Sequence, residues 1–374
     1  MLETRTDSPK TPIDYAAFAR DLDALLVRTR EELGAEDLAH LRKIEGWGRA
    51  CTAAGYATAW LAPNPLSMVL LSTGRVTRWA MIAHHVSHRG YDRVPMAPET
   101  RTSKKFAKGA RRLVDWLDWI DPEAWNHEHN HLHHYRLGET ADPDLVEHNV
   151  DWLRESSLPT AVKLAIVGFF AGTWKFTYYA PNTLRVLLEK EAKARGEEPV
   201  ARSLSEMYLR PELWTRCYLP YAATQFGLVP LLFLPLGPVA SANVLVNSLG
   251  AELLTNLHSF LVIVTNHAGE DMERFDAPVR HGKGEFYYRQ VVGSTNFALG
   301  TDPIDFFHGF LNYQIEHHLF PDLPIRAYQR IQPEVEAICR KHGVPYVKES
   351  VFTRLRKTVD VMIGRASMKR SEAC

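Results

Sequence analysis

The sequence predicts an all-α protein, an integral membrane helical bundle of about four spans with a helical cap outside the bilayer. The prediction rests on two long stretches with almost no charge. The 25 residues between Arg49 and Arg75 carry none, and the 53 residues of 217–269 carry one, on Glu252. A helix of about 20 apolar residues crosses a hydrocarbon core about 30 Å thick. The first stretch is therefore long enough for one crossing and the second for two.

The residues before the first apolar stretch are predicted to form soluble helices. Thr11, Pro12 and Asp14 supply an N-cap, a proline for the first helical position and an acid in the first turn. Gly34 is expected to end this helix, and a second helix reaches about Trp47. The chain accordingly divides into three parts: soluble helices over 1–48, a membrane domain over 49–350 and a C-terminal tail over 351–374.

Two turns are predicted inside the apolar stretches. Pro63, Asn64 and Pro65 interrupt the first stretch, so we expect a tight hairpin whose return segment runs over 66–83. The sequence Pro-Leu-Gly-Pro at 235–238 supplies the turn of a second hairpin. Each hairpin returns the chain to the side of the membrane from which it started.

A third apolar stretch, 161–180, contains Lys163 and Lys175 and is predicted to lie at the membrane interface rather than to cross it. With 161–180 outside the hydrocarbon core, the ends of both hairpins lie on the same side of the membrane. A wholly soluble helical protein is the alternative, because buried core helices can also be long and uncharged.

Charge and cysteine content exclude several classes of protein. Lysine and arginine together number 44, as do aspartate and glutamate, so the basic excess that attracts a phosphate backbone is missing and nucleic acid is not an expected partner. The four cysteines, Cys51, Cys217, Cys339 and Cys374, stand far apart and form no C-x-x-C pair. Neither a thiolate metal site nor a disulfide framework is indicated.

Histidine is the unusual residue. The chain has 17, and most of them fall in three clusters, at 84–88, 127–134 and 314–318. Imidazole is the commonest side-chain metal ligand and suits iron, copper and zinc. His84 and His88 are four apart, so a helix places both rings on one face. Because both predicted hairpins end on one side of the membrane, the three clusters are expected to meet there around a shared metal site.

The second cluster leaves its ligand set open. In a regular α-helix, at about 100° per residue, His127, His131 and His134 share one face while His129 and His133 share another. The spacing alone does not decide which of these rings faces the metal.

The clusters resemble the hallmark of the membrane fatty acid desaturase and hydroxylase family, whose three motifs have the forms H-x3-4-H, H-x2-3-H-H and [HQ]-x2-H-H. The matching residues are His84 and His88, then His129, His133 and His134, then Gln314, His317 and His318. The flank of the third motif, YQIEHHLFP over 313–321, is similar to that of front-end and acyl-lipid desaturases. A further family ligand falls on His267, and the resemblance covers about 80–346.

The resemblance implies a centre of two iron ions, with O2 as co-substrate, that introduces a double bond into a lipid acyl chain. An unactivated aliphatic C–H bond resists acids, bases and nucleophiles, so a metal must supply the oxidising chemistry. The implied ligands are His84, His88, His129, His133, His134, His267, His317 and His318, with Gln314 as a ligand or an outer partner. Candidates for the carboxylates that orient these rings are Asp142, Asp144, Glu147, Glu270 and Asp271.

The histidines outside the family pattern have no assigned role or a structural one. No role is assigned to His85, His127, His131 and His148. His258 and His308 are expected to be structural.

The resemblance also implies partners. The chain lacks a His-Pro-Gly-Gly haem signature, a ferredoxin cysteine spacing and a G-x-G-x-x-G loop, so electrons are expected from a separate ferredoxin or a cytochrome b5 with its reductase. The substrate is expected to be a membrane lipid or a carrier-bound acyl chain, and the metal site to lie on the cytoplasmic side. Candidate donor-docking residues are Arg101, Lys104, Lys105, Lys108, Arg111 and Arg112.

Other functions stay open at this point. Desaturation and hydroxylation share their first hydrogen abstraction, and only the glutamine of the third motif favours desaturation, by resemblance. His127-Glu128-x-x-His131 is formally the H-E-x-x-H motif of zinc metalloproteases. A metal-binding protein without catalysis is a further alternative, although its ligands would be expected near mid-bilayer rather than at the ends of spans.

Overall fold

The computed structural model describes residues 13–201 and 203–371, and this part of the chain is mostly helical, which confirms the predicted all-α class. The described residues include one two-stranded parallel sheet. Its strands are β1 (Glu273–Phe275) and β2 (Lys369–Ser371), with Glu273 opposite Lys369.

The α-helices follow one another along the chain with short connections. The first eleven are α1 (Tyr15–Glu31), α2 (Ala35–Ala59), α3 (Pro65–Val76), α4 (His84–Ser87), α5 (Arg112–Asp115), α6 (Pro122–Glu128), α7 (His134–Arg136), α8 (Val146–Asn149), α9 (Asp151–Arg154), α10 (Thr160–Trp174) and α11 (Ala180–Arg195). The others are α12 (Leu204–Met207), α13 (Leu219–Ala222), α14 (Val229–Leu231), α15 (Pro238–Ile263), α16 (Gly282–Val292), α17 (Asp302–Phe307), α18 (Gln314–Leu319), α19 (Ile325–Lys341) and α20 (Val351–Met362).

Shorter 3₁₀ and π turns join several of these helices. The π turns are Thr77–Ala83, His129–His133, Lys175–Tyr179, Leu213–Tyr218 and Ala223–Leu228. The 3₁₀ turns are Glu99–Arg101, Gly109–Arg111, Leu234–Leu236, Val264–Asn266 and Leu311–Tyr313.

The N-terminal helices differ in detail from the prediction. Asp14 is the N-cap of α1 rather than a residue of its first turn, since its carboxylate accepts a hydrogen bond from the Ala17 N–H at 2.9 Å. The other residues of the predicted start signal, Thr11 and Pro12, lie outside the described residues. The predicted helix end near Trp47 is wrong, because α2 continues without a break to Ala59.

The first hairpin is formed by α2 and α3, and its predicted turn is confirmed. Asn64 caps α3 by accepting from the Ser67 N–H at 2.8 Å, and Pro65 takes the first helical position. The two helices pack closely because small residues face the contact. A Cβ atom added to Gly48 would lie 2.6 Å from the side chain of Thr77, so glycine at this position lets α2 lie close to the chain that follows α3.

Two helical segments among the described residues are long and apolar enough to cross a membrane, namely Leu213–Leu236 and Pro238–Asn266. Gly237, with φ of 110°, forms the turn between them, as predicted. Apolar side chains on their outer faces are exposed, for example Leu232 and Val239. The other two of the four expected spans stay a prediction.

A buried polar group, here called the Glu252 cluster, connects this second hairpin to the first. It consists of Arg75, Trp119, Tyr221, Glu252 and Asn256. The Glu252 carboxylate accepts from the Arg75 guanidinium at 3.0 Å, from the Trp119 indole at 2.8 Å and from the Tyr221 hydroxyl at 2.6 Å. Arg75 is thus tolerated in the return segment because it is paired inside the protein.

The lysines of the stretch 161–180 also point into the protein, and the interfacial position of this stretch stays a prediction. Lys163 donates to the backbone oxygen of Arg154 at 2.8 Å. Lys175 forms an ion pair with Asp118 at 2.7 Å and lies over the ring of Trp79. Their charges are therefore satisfied by protein groups.

Residues after 350, predicted as a tail, fold onto the body of the protein. Helix α20 carries Arg354, whose side chain is fully buried. Its guanidinium donates to Asp271 at 2.7 Å and to the backbone oxygen of Ala268 at 2.9 Å. These bonds fix the loop that follows α15, which is the loop that presents His267.

Candidate metal centre

The first histidine motif lies at the end of a helix that changes its winding. α3 continues through the π turn Thr77–Ala83 into α4, and the His84 N–H bonds to the Trp79 oxygen five residues earlier. His84 and His88 lie on one face, with ring centroids 4.9 Å apart. His85 is buried beside them, with its ring 5.5 Å from that of His317, and its Nδ1 lies 2.8 Å from the Met81 oxygen. The motif therefore contributes two rings, on one helical face, to the interior of the cap.

The second motif is wound as a π turn, which resolves the open question of its faces. Asp121 caps α6 by accepting from the N–H of Glu123 and Ala124, each at 3.0 Å. The π turn His129–His133 follows, and the His134 N–H bonds to the His129 oxygen. Because the bonded partners are five positions apart, His129 and His134 lie on the same side, their ring centroids 4.9 Å apart.

The winding also sorts the five histidines of the second motif. His129, His133 and His134 are buried, whereas His131 is exposed and His127 is half-buried. A regular α-helix would have placed His134 with the two outer rings. The ligand set inferred from the resemblance is therefore the set that faces inward.

The third motif and His267 meet in the same place. α18 carries Gln314, His317 and His318, all buried. The Gln314 side-chain amide lies 2.8 Å from the His267 Nε2 atom. On its other side, His267 directs Nδ1 to the Gly293 oxygen at 3.1 Å.

The rings converge in two adjacent groups in which the possible ligand atoms lie within 4.8 Å of one another. The first group is His84, His88, His129, His134 and His317. The second group is His133, His267 and His318. The two groups touch where His134 stacks on His318 with centroids 4.2 Å apart. All nine residues inferred from the sequence thus lie in one buried cluster, here called the histidine cluster.

The nitrogen atoms of the histidine cluster fit metal ions. Several have no hydrogen-bond partner within the protein although they are buried, namely the Nε2 atoms of His88, His134, His317 and His318. His84 and His129 direct their Nε2 atoms at each other, 3.2 Å apart. Buried polar atoms without partners are rare in proteins, and neutral imidazole nitrogens are good ligands for transition metals.

Burial also sets the charge of these rings. It lowers the pKa of several of them well below the ordinary histidine value: His129, His134, His317 and His318. Burial lowers the pKa of His267 to about 3. These five rings are therefore neutral at pH 7, as metal ligation requires. His133 differs, because the neighbouring Asp142 carboxylate outweighs burial and raises the pKa of its ring.

Hydrogen bonds from outside the cluster orient several rings. The His133 Nδ1 atom lies 2.9 Å from the Asp142 carboxylate, as anticipated for one of the candidate carboxylates. Sequence reasoning missed the Gln290 oxygen at 3.2 Å from His318 Nδ1 and the Tyr328 hydroxyl at 3.4 Å from His317 Nδ1. Both side chains are neutral and belong to no sequence motif, so the sequence does not indicate that they orient these rings.

The remaining carboxylate candidates have other positions. Asp144 lies close to the nitrogens of His129 and His133. Glu147 instead pairs with Arg154 at 2.8 Å, and Asp271 is held by Arg354. Glu270 is exposed. Those last three acids therefore do not orient the rings.

One carboxylate that the sequence did not single out supports the third motif. Glu316 is fully buried and accepts from the Tyr346 hydroxyl at 2.7 Å and from the Asn296 amide at 2.8 Å. Burial raises the pKa of its carboxyl to about 7, although both hydrogen bonds oppose the rise. Asn296 also accepts from the Ile315 N–H at 2.9 Å. These bonds fix α18 against the body of the cap.

The H-E-x-x-H arrangement of a zinc protease is not formed. Glu128 is fully buried. Burial, and to a lesser extent the neighbouring Asp144, raises the pKa of its carboxyl well above the ordinary value. His127 is half-buried and His131 is exposed, both on the outer side of the same segment. Among the described residues, the groups able to hold a metal include neither of them.

The histidines expected to be structural are bonded to the backbone. His258 Nε2 lies 2.6 Å from the Phe307 oxygen, and His308 Nδ1 lies 2.9 Å from the Ile304 oxygen. His148 is exposed and pairs with Asp151. None of the three belongs to the histidine cluster.

A cavity of about 890 Å³, here called the basin, connects the histidine cluster to the surface. Its floor includes His88, His134 and His318, which come from both groups. Its rim carries several cationic side chains: Arg89, Arg93, Lys104, Lys105 and Lys108. A small or anionic partner can therefore approach the cluster from this side.

The fold and this site define a helical protein with an apolar hairpin and a buried histidine cluster capable of binding metal. The family model for fatty acid desaturases matches residues 58–350. The chain belongs to the fatty acid desaturase family, and it is accordingly an oxidoreductase.

Individual relatives agree with this assignment. The NADPH-dependent stearoyl-CoA 9-desaturase of Mycobacterium tuberculosis is 25% identical over 364 residues, covering 93% of this chain and 79% of that protein. Fatty acid desaturase 3 of Bos taurus is 25% identical over 309 residues, covering 83% and 62%. Fatty acid desaturase 2-like protein FADS2B of Mus musculus is 47% identical over 79 residues, covering 21% and 16%.

Proposed function

We propose that this protein is a membrane di-iron desaturase that uses O2 to introduce a double bond into a lipid acyl chain. The observation that carries the proposal is the pair of adjacent, buried histidine groups whose nitrogens face one another without partners. Overall, one acyl CH2–CH2 unit, O2, two electrons and two protons give one CH=CH unit and two water molecules. Bound iron ions supply the redox chemistry that side chains lack.

The proposed ligands divide between two ions. His84, His88, His129, His134 and His317 hold one, while His133, His267, His318 and Gln314 hold the other. Asp142, Gln290 and Tyr328 keep the ring nitrogens directed inward through their hydrogen bonds. Because the rings are buried, water reaches the site mainly through the basin.

We propose that both hairpins enter the membrane from the cytoplasmic side, which gives four spans. The tip of the first hairpin packs against α15 of the second, since the Asn247 side-chain amide donates to the Ala59 oxygen at 2.8 Å and accepts from the Asn64 N–H at 2.9 Å. Asn247 lies ten residues after Gly237, so the first tip meets the second hairpin about 15 Å along α15 from its own tip. Leu61 and Leu66 at the first tip are exposed, like the outer faces of the second hairpin. Both metal-facing ends, at His84 and His267, then emerge on one side.

We propose that a separate one-electron donor protein docks over the basin. Three of the expected docking residues are held elsewhere: Arg101 by Glu45, Arg111 by Asp115 and Arg112 by Asp121. Lys104, Lys105 and Lys108 are exposed at the rim and suit an acidic partner, although Lys105 also forms an exposed ion pair with Glu99 at 3.5 Å. Replacing these lysines with alanine should lower the association rate and its salt dependence in stopped-flow reduction, and unchanged kinetics would disprove the docking site.

The test of the proposed function combines metal analysis of the purified protein with lipid profiling of an expressing host. We expect about two iron ions per chain and acyl chains with one additional double bond. Hydroxylated acyl chains would point to the hydroxylase alternative. A single zinc ion with an unchanged lipid profile would overturn the proposal.

A further inference from the structure

One tryptophan touches the histidine cluster on a side that does not line the basin. Trp125 is 2% exposed, and its indole stacks on His129 with ring centroids 4.5 Å apart. The same indole meets His84 at 5.5 Å and His88 at 5.6 Å, edge to face. All three histidines belong to the first group. Trp125 is thus in direct contact with the rings that we propose hold one metal ion.

A hydrogen bond extends this contact to a second oxidisable ring. The Trp125 indole N–H donates to the Tyr179 hydroxyl at 3.0 Å. Tyr179 is also buried, and its ring lies 5.1 Å from Trp174. Indole and phenol rings lose an electron more readily than other uncharged aromatic side chains. The pair therefore forms a short path for electrons that begins at a proposed ligand.

The charges around the path favour oxidation at its inner end. The Lys175 ammonium lies 4.2 Å from the centre of the Trp79 ring, and a cation there opposes removal of an electron from that ring. Trp79 and Trp174 lie next to each other, 5.7 Å apart, and both rings contact Tyr179. An electron vacancy is consequently more stable on Trp125 and Tyr179 than on Trp79.

We propose that Trp125, together with Tyr179, donates electrons to the metal centre in turnovers in which O2 has been consumed but no acyl chain is bound. The inference rests on the proposed desaturase function. In that situation iron ions held by the histidine cluster would keep two oxidising equivalents after the external donor has delivered two electrons. Trp125 transfers one electron directly and Tyr179 transfers the second through Trp125.

The balance of this unproductive turnover is complete. The four electrons, two from the donor and two from the aromatic pair, reduce one O2 to two water molecules with four protons. Tyr179 releases its phenolic proton on oxidation, and solvent water supplies the other protons. The same one-electron donor later returns two electrons to the pair. An indole that loses two electrons before it is repaired takes up one oxygen atom from water, which adds the mass of oxygen to Trp125.

The experiment incubates the iron-loaded enzyme with O2 and a ferredoxin system reduced by NADPH, without any acyl substrate. Peptide mass spectrometry locates added oxygen, and a later supply of substrate measures the surviving activity relative to each variant's own initial rate. We expect wild-type protein to carry oxygen mainly on Trp125. Trp125→Phe should lose activity several-fold faster and carry oxygen on the neighbouring histidines instead.

Two further variants separate electron donation from packing. Trp116→Phe is the matched control, because Trp116 is buried, packs on Trp125 at 5.4 Å and has no hydrogen bond from its indole nitrogen. It should behave like wild type. Trp125→Tyr keeps an oxidisable ring and should restore protection in part, at a metal content measured to equal that of wild type.

The outcomes distinguish this inference from the proposed function. Oxygen spread evenly over the protein, equal inactivation of Trp125→Phe and wild type, or equal inactivation of Trp125→Phe and Trp116→Phe would each overturn the relay. Parallel samples with substrate report unsaturated product. If wild type forms none but still oxidises Trp125 under O2 and reductant, the relay stands and the desaturase proposal fails.

Discussion

Two buried polar regions of this protein differ in how their polar atoms are satisfied. In the Glu252 cluster, the carboxylate accepts hydrogen bonds from Arg75, Trp119 and Tyr221, so each charge finds its partner within the chain. In the histidine cluster, the Nε2 atoms of His88 and His317 are equally buried but have no protein partner. Burying a polar group without a partner costs about 1–3 kcal/mol. The second region is therefore incomplete without a ligand, whereas the first serves the fold.

The largest effect is expected on metal binding and product formation, when an inward-facing ring of the second histidine motif is removed and compared with removal of an outward-facing ring. His134→Ala removes a ring that contacts both groups and should reduce bound metal and unsaturated product by at least about 100-fold. His131→Ala, three residues away on the outer side, should keep both near wild type. Metal analysis and lipid profiling measure the two effects, and equal metal loss in both variants would contradict the assignment of faces.

A smaller but still large effect is expected in the Glu252 cluster, and it concerns stability. Glu252→Ala leaves Arg75 buried without its partner, which should lower the free energy of unfolding by about 3–5 kcal/mol. Glu252→Gln should cost less, because its amide oxygen still accepts from Trp119 or Tyr221. Chemical unfolding in detergent measures the change. If the folded Glu252→Ala protein binds less metal than wild type, the Glu252 cluster also serves the metal site, and the distinction between the two regions is wrong.

The smallest of the three effects is expected outside the ring cluster. Asp142 accepts from His133 Nδ1 at 2.9 Å, and Asp142→Asn should weaken metal affinity by about 10–100-fold because the orienting negative charge is lost. Glu147→Gln is the matched control, since Glu147 pairs with Arg154 instead. Competition with a chelator gives both affinities. A loss of equal size in the control would show that any nearby acid, rather than this hydrogen bond, sets the affinity.

The spacing of histidines predicted the residues of the cluster but not their arrangement. His84 and His88 follow from a four-residue spacing on any helix. The selection of His134 over His131 depends on a π turn, which has no spacing signal, because the same residues fit a regular α-helix equally well. Sequence reasoning therefore left the faces open, and the winding of the backbone decided them.

Boundaries were predicted less well than elements. The turn at Pro65 follows from local chemistry, since proline and an asparagine cap start a helix by themselves. Past Trp47, α2 packs against α3, where Gly55 allows the Leu71 side chain to approach. A change from charged to apolar composition marks where the surroundings of a helix change, and the helix itself need not end there.

The sequence by itself determined the helical class, the two turns and the identity of the histidines, because helix caps, proline and the repeat of a helix act over a few neighbouring residues. Only the tertiary structure decided which rings meet, which nitrogens face inward and which groups hold them there. Gln290 and Tyr328 reach His318 and His317 through the fold, and Asp142 reaches His133 through a tight loop. Such contacts depend on how helices that are distant in the sequence pack together, and the spacing of residues along the chain does not predict that packing.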